Sequence, residues 1–183
     1  MPLRFVEPQD LLQIDADALL NTVNCEGYMG KGIAKAFAKD RRFNPKKKPR
    51  APKVGLEADY VERCAAGAVK PGYPYVWKRS TIIDNGGLLP IDPGLPRFII
   101  NLPTKEYFRY PSKIAWIDEG LRRLPGLIAD HSITSLAMPA PGCGNGGLPW
   151  NDVKQLIEKH LAKLAIEVIV VEPELVTHSL ADH

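Results

Sequence analysis

The stretch that most constrains this chain is Pro139-Ala140-Pro141-Gly142-Cys143-Gly144-Asn145-Gly146-Gly147-Leu148. Before it lies Ser135-Leu136-Ala137-Met138, short and apolar, which reads as a buried strand. After it, Val153, Leu156, Ile157, His160, Leu161 and Leu164 recur at i, i+3, i+4 spacing, the pattern of a helix packed by one face. Four glycines therefore sit in a strand-to-helix turn. Glycine allows positive φ and close approach of backbone to a ligand. The free N–H groups and positive dipole end of the following helix suit a phosphate. Gly142, Gly144 and Gly147 also fit the dinucleotide pattern G-x-G-x-x-G, which usually opens a domain; here it lies near the end. An ordinary glycine-rich connection is the plain alternative.

A second turn of the same kind occurs earlier. Ala18 to Val23 is apolar enough for a buried strand, with Asn21 and Asn24 at its C-terminal end. In open α/β sheets ligands gather outside the carboxyl ends of strands. These asparagines could bond sugar hydroxyls, or cap the turn that follows. Gly30 and Gly32 then bracket Lys31, and Ile33 and Phe37 begin the apolar face of a helix. Two such turns in one chain are expected to line one phosphate-bearing cleft. Lys31 could touch a phosphate or stand in solvent. Arg97 to Leu102 is a strong strand prediction, and Lys105 follows it directly. That lysine could contact a phosphate, act as a nucleophile of lowered pKa, or lie at the surface.

The remaining segments fill out an α/β chain. Arg4 to Glu7 and Tyr73 to Lys78 read as strands, and Ile166 to Glu172 as a last strand buried on both faces. Glu57 to Ala66 reads as a short helix with Val61 and Ala65 inward. Ser112 to Asp130 reads as a long one with Ile114, Ile117, Leu121, Leu124 and Ile128 on one face, kinked or ended early by Pro125. Residues 41–53 are basic and proline-punctuated, either a solvated loop or a contact for a nucleic-acid backbone, with Phe43 placed to stack on a base. Turn signals around 84–94 mark a loop-rich insertion. Strands alternating with helices predict a sandwich around a mostly parallel sheet. The chain has 183 residues, most simply one domain. A formal charge of +3 is compatible with an anionic ligand without requiring one. Cys25, Cys64 and Cys143 fit neither a disulfide framework nor a structural zinc site, so a reduced, cytoplasmic setting is expected. No signal peptide or membrane-spanning run is visible.

Leu19-Leu20-Asn21-Thr22-Val23-Asn24, Met29-Gly30-Lys31-Gly32-Ile33-Ala34, Ile100-Asn101-Leu102-Pro103-Thr104-Lys105, and Met138-Pro139 with Gly142-Cys143-Gly144 and Leu148-Pro149-Trp150 together resemble a macrodomain. The branch they resemble most is the macrodomain of the DarG antitoxin family, which partners the DNA ADP-ribosyltransferase toxin DarT. The resemblance covers roughly residues 4–173, with 174–183 as a C-terminal tail. It implies a three-layer α/β/α fold with a mixed, mostly parallel central sheet. It also implies a cleft for ADP-ribose, with no metal or other cofactor. The activity implied is removal of ADP-ribose from a thymidine base in single-stranded DNA. The partners implied are ADP-ribosylated single-stranded DNA, ADP-ribose itself and a DarT-type toxin, the last through a region outside this chain; no membrane is involved.

By the same resemblance Asp10, with Leu11, would accept a hydrogen bond from the adenine amino group, and Asn21 and Asn24 would face the distal ribose. Gly30, Lys31, Gly32 and Ile33 would hold the diphosphate together with Pro141, Gly142, Cys143, Gly144, Asn145, Gly146, Gly147 and Leu148. Thr104 would lie beside Lys105, which stands where related branches keep a catalytic lysine. A glutamate-directed relative carries an aspartate in its second glycine-rich loop. That aspartate is absent here, its place falling near Gly146. Three alternatives remain: a non-catalytic ADP-ribose reader, a protein-directed ADP-ribosyl hydrolase, and a nicotinamide-dependent dehydrogenase using Glu172 to bind ribose.

Overall fold

A computed structural model describes residues 2–45, 54–79 and 94–174. The strands are β1 (Leu3–Val6), β2 (Ala18–Val23), β3 (Tyr75–Lys78), β4 (Phe98–Pro103), β5 (Ser135–Met138) and β6 (Glu167–Val171). They form one sheet in the order β1-β6-β5-β2-β4-β3. Every neighbouring pair is parallel except β3 with β4, so the mixed, mostly parallel sheet is as expected. The helices are α1 (Gly32–Lys39), α2 (Leu56–Ala65), α3 (Ile114–Asp130) and α4 (Trp150–Leu161), with one 3-10 turn at Leu11–Gln13.

Side chains alternate across the strands and build two cores. Ala18, Leu20, Ile100, Leu102, Leu136, Met138, Val168 and Val170 pack under α3 and α4, against Ile117, Leu121, Leu124, Val153 and Ile157. Leu19, Val23, Ile99, Ala137, Ile169 and Val171 pack with Leu11, Phe37, Leu56 and Tyr60 on the other face. Sheet residues buried from both sides explain the near-continuous apolar runs of β2, β4 and β6. The result is three layers, α/β/α.

Several details depart from the sequence expectations. Helix α3 runs through Pro125 to Asp130, because Leu121, Leu124 and Ile128 anchor its buried face on both sides of the proline. Proline removes one helical hydrogen bond, and that contact surface outweighs the loss. Ile114 stands exposed at the first turn of α3. In α2 the inward residues are Leu56 and Tyr60, while Val61 and Ala65 face solvent, a rotation of the helix from its expected phase.

Phe43 does not stack on a base. Its ring is 1% exposed and packs against Phe37 and Trp77, with centroids 5.9 and 6.3 Å away. Arg42 beside it is also engaged: it pairs with Asp40 and donates to the Leu12 carbonyl. Positions 46–53 and the insertion at 80–93 lie outside the described residues. Phe43→Ala is expected to destabilise the protein by about 3–5 kcal/mol, the cost of emptying a buried aromatic site. Chemical denaturation measures it, and a loss near zero would restore the surface reading.

Candidate functional site: a cleft between two glycine loops

The carboxyl ends of β2, β4, β5 and β6 open onto a cleft of about 510 Å³. It lies on the side of the sheet where open α/β folds bind ligands, and its size suits a nucleotide-sized molecule. Both glycine-rich turns line it. Gly30, Lys31, Gly32 and Ile33 come from the first, and Gly142, Gly144, Asn145 and Gly146 from the second. Asp10, Leu11, Asn24, Thr104 and Lys105 line it too, so most of the predicted residues converge.

The two loops meet. Gly32 has φ +56°, and a Cβ there would lie 3.0 Å from the side-chain nitrogen of Asn145. Within the second loop the carbonyls are already engaged: Gly142 accepts from Leu148, Gly144 from Gly147, Gly146 from Ser112, and Asn145 from the Lys105 ammonium at 2.7 Å. The N–H groups of Gly144, Asn145 and Gly146 make no backbone hydrogen bond among the described residues. A loop with carbonyls tied back and amides free is an anion-binding concavity. The first N–H groups of α1, beginning at Gly32, likewise have no intrahelical partner.

Gly146 also accounts for the missing aspartate. A Cβ at this position would collide with the Ser112 hydroxyl and lie 2.5 Å from the Gly142 carbonyl. No carboxylate can stand there without rebuilding the loop.

Lys105 follows β4, half-buried, and its Nζ donates to the carbonyls of Asn145 and, at 3.3 Å, Phe108. Burial, and secondarily the neighbouring Lys31 cation, push its pKa below the usual lysine value. Its backbone carbonyl accepts from the Cys25 thiol. Burial raises the thiol pKa of Cys25 to about 12 and of Cys143 to about 11, so neither is a thiolate nucleophile near neutral pH.

Five of the predicted residues stand outside the cleft lining, and two within it are held by neighbouring groups. Asn21 does not line the cleft: it is fully buried and pairs in register with Asn101 across β2 and β4. Its Nδ2 donates to the Asn101 side chain at 3.0 Å, and Asn101 donates on to the Tyr75 hydroxyl. Pro141, Cys143, Gly147 and Leu148 also fall outside the lining, because they form the loop's own turn and its contact with the core. Asn24 does line the cleft but is held from within: Nδ2 donates to the Tyr28 carbonyl, and Oδ1 accepts from the Glu26 N–H and the Tyr60 hydroxyl. The Asp10 carboxylate caps the 3-10 turn through the Leu12 N–H, which fixes the side chain at the rim. Asn21→Ala is expected to cost about 1–3 kcal/mol of stability, since Asn101 loses its buried partner, with ADP-ribose affinity unchanged. Paired denaturation and calorimetry check this; lost affinity without lost stability would put Asn21 back in the site.

Tyr28 and Phe108, absent from the sequence expectations, line the cleft with ring centroids 5.4 Å apart. They lie in irregular segments without periodicity, and only the exposure of large aromatics in the folded chain reveals them. Glu172 and Glu174 also border the cleft, at the end of β6.

This three-layer sandwich, with both glycine loops over the carboxyl ends of its central strands, matches macrodomains of known structure. The macro domain family model matches residues 79–157. The macrodomain of Mycobacterium tuberculosis DarG superposes with a TM-score of 0.76 and 37% identity, covering 94% of this chain and 98% of that one. The chain belongs to the DarG macrodomain family. The DNA ADP-ribosyl glycohydrolase of Thermus aquaticus is 39% identical over 172 residues, 93% of this chain and 41% of its own length. The chain thus spans about two fifths of that curated relative. A structure of Thermosipho africanus DarTG in complex with ADP-ribose matches with a TM-score of 0.71 and 30% identity, covering 90% of this chain and 40% of that chain. Membership in this family replaces the dehydrogenase reading of Gly142, Gly144 and Gly147.

Proposed function

We propose that this chain is a DNA ADP-ribosyl glycohydrolase: it binds ADP-ribose in the cleft and hydrolyses its N-glycosidic bond to a base, the thymine of a thymidine, in single-stranded DNA. The observation carrying this reading is the pairing of free amides in the Gly142–Gly147 loop with a lysine tied to that same loop. The amides and the α1 terminus receive the diphosphate, Asp10 and Leu11 the adenine side, and Asn24 and Thr104 the distal ribose. The anomeric carbon then comes to Lys105. The names of the Thermus aquaticus and Thermosipho africanus relatives support both the ligand and the reaction.

A neutral amine has two N–H groups and one lone pair. The carbonyls of Asn145 and Phe108 can hold the two N–H groups, leaving the lone pair as the remaining direction. Attack on the anomeric carbon forms a C–N bond. The bond to the base nitrogen breaks with its electron pair on the base, which takes the proton the newly bonded lysine nitrogen gives up; water then displaces that nitrogen from the anomeric carbon and frees ADP-ribose. A lysine in this role needs a lowered pKa, the direction its burial gives. The setting is cytoplasmic, and the partner is a DarT-type toxin whose product this chain removes. No described helix is long and apolar enough to cross a membrane.

A substrate panel tests the reading. ADP-ribosylated single-stranded DNA, glutamate-linked ADP-ribosyl protein and free ADP-ribose with NAD as competitor are compared by chromatography and calorimetry. Release from DNA in preference to protein is the expected result. Release from protein alone would make this a protein-directed hydrolase, and tight ADP-ribose binding without release a reader.

A further inference from the structure

Residues 105–112 form a loop that spans both glycine turns. At one end Lys105 Nζ bonds the Asn145 carbonyl, and at the other the Ser112 N–H bonds the Gly146 carbonyl. In between, the Phe108 N–H donates to the Glu26 carboxylate at 2.8 Å, and the Cys25 N–H to the Glu106 carbonyl. The loop is therefore fixed to the cleft on two sides. Its tip, closed by Tyr110 N–H to the Tyr107 carbonyl, presents large rings to solvent: Tyr107 is 47% and Tyr110 64% exposed, in edge contact with centroids 5.9 Å apart. Next to them the Arg109 guanidinium lies 5.3 Å over the exposed Phe108 ring. Lys113 follows, over Trp116.

Large rings gathered at one exposed tip, rather than scattered singly, are the kind of surface that takes a partner. Aromatic rings interleaved with cations are the chemistry that holds a single strand, by base stacking and phosphate attraction. The position selects the occupant: Phe108 lines the cleft and shares its loop with Tyr107 and Tyr110, so a strand with its modified base held at the cleft would run past this tip. We propose that Tyr107 and Tyr110, with Arg109 and Lys113, form a stacking platform for the nucleotides flanking the modified base. This rests on the DNA-directed reading above. It places strand recognition beside the cleft.

The test uses Tyr107→Ala/Tyr110→Ala and the conservative Tyr107→Phe/Tyr110→Phe. Neither tyrosine lines the cleft. Anisotropy of a labelled, unmodified oligothymidylate at low salt reads strand binding. Release is followed from a thymine-ADP-ribosylated oligonucleotide and from ADP-ribosyl thymidine, the mononucleoside. The alanine pair should weaken strand binding by about tenfold or more, the scale of one to two lost stacks. It should lower kcat/KM on the oligonucleotide alike, and leave the mononucleoside unchanged; the phenylalanine pair should keep all three. Arg109→Gln should flatten the salt dependence. Strand binding that is absent in the wild type, or equal in the alanine pair, overturns the platform and leaves a protein-docking face. Equal loss on the mononucleoside also overturns it, in favour of cleft positioning. If the wild type releases ADP-ribose from neither substrate while strand binding still depends on the tyrosines, the glycohydrolase reading fails and the platform stands.

Discussion

Lys105→Ala is expected to lower release of ADP-ribose from modified DNA by about 10²-fold or more, the usual scale for one lost catalytic group. Affinity for free ADP-ribose should stay near the wild-type value, because the glycine amides carry the diphosphate. The fold should survive, since the lysine side chain contributes two hydrogen bonds to loop carbonyls and no core packing. Lys105→Arg should not rescue turnover, because guanidinium stays protonated. Recovery with arginine would reduce Lys105 to a positive charge near the diphosphate. The pH profile gives the sign independently. Burial and Lys31 favour the neutral amine, so kcat should rise with pH as that form accumulates. In Lys31→Ala the neighbouring cation is gone, the Lys105 pKa moves up, and the rising limb should shift to higher pH. A kcat that falls as the amine deprotonates would mean that the ammonium is the working form.

Gly144→Val should abolish ADP-ribose binding, which in the parent is expected in the micromolar range, about −8 kcal/mol. The structure makes this substitution a clean probe. A Cβ at Gly144 has open space around it and the residue borders the cleft, so valine there adds bulk at the cleft without a clash inside the loop. Gly142, by contrast, has φ +77°, where any side chain is strained, and would test folding as much as binding. Calorimetry on Gly144→Val, with an unchanged unfolding midpoint, isolates the phosphate contact. Undiminished affinity would move the diphosphate away from this loop.

The central strands and both glycine loops were legible because β2, β4 and β5 are apolar runs that end at residues starting a turn. The turns use glycine where the backbone must take positive φ, at Gly32, Gly142 and Gly147. Lys105 was legible from its place one step beyond a buried strand. What the sequence hid depended on contacts across distance. Asn21 looked like a ligand residue until its register with Asn101 placed both inside the sheet. Phe43 looked solvent-facing because its neighbours in sequence are basic, whereas its neighbours in space are Phe37 and Trp77. Helix α2 was rotated in the reading because ten residues with few apolar positions define a phase poorly. The aromatic tip at Tyr107–Tyr110 has no periodicity to announce it and gains meaning only from its ties to Asn145, Gly146 and Glu26.

The most direct test of glycosidic cleavage in this cleft is mass spectrometry of a single-stranded oligonucleotide carrying one ADP-ribosyl thymine, incubated with the protein. The account predicts the unmodified strand and free ADP-ribose in equal amounts. A strand that keeps its modification under conditions where ADP-ribose fills the cleft would contradict it.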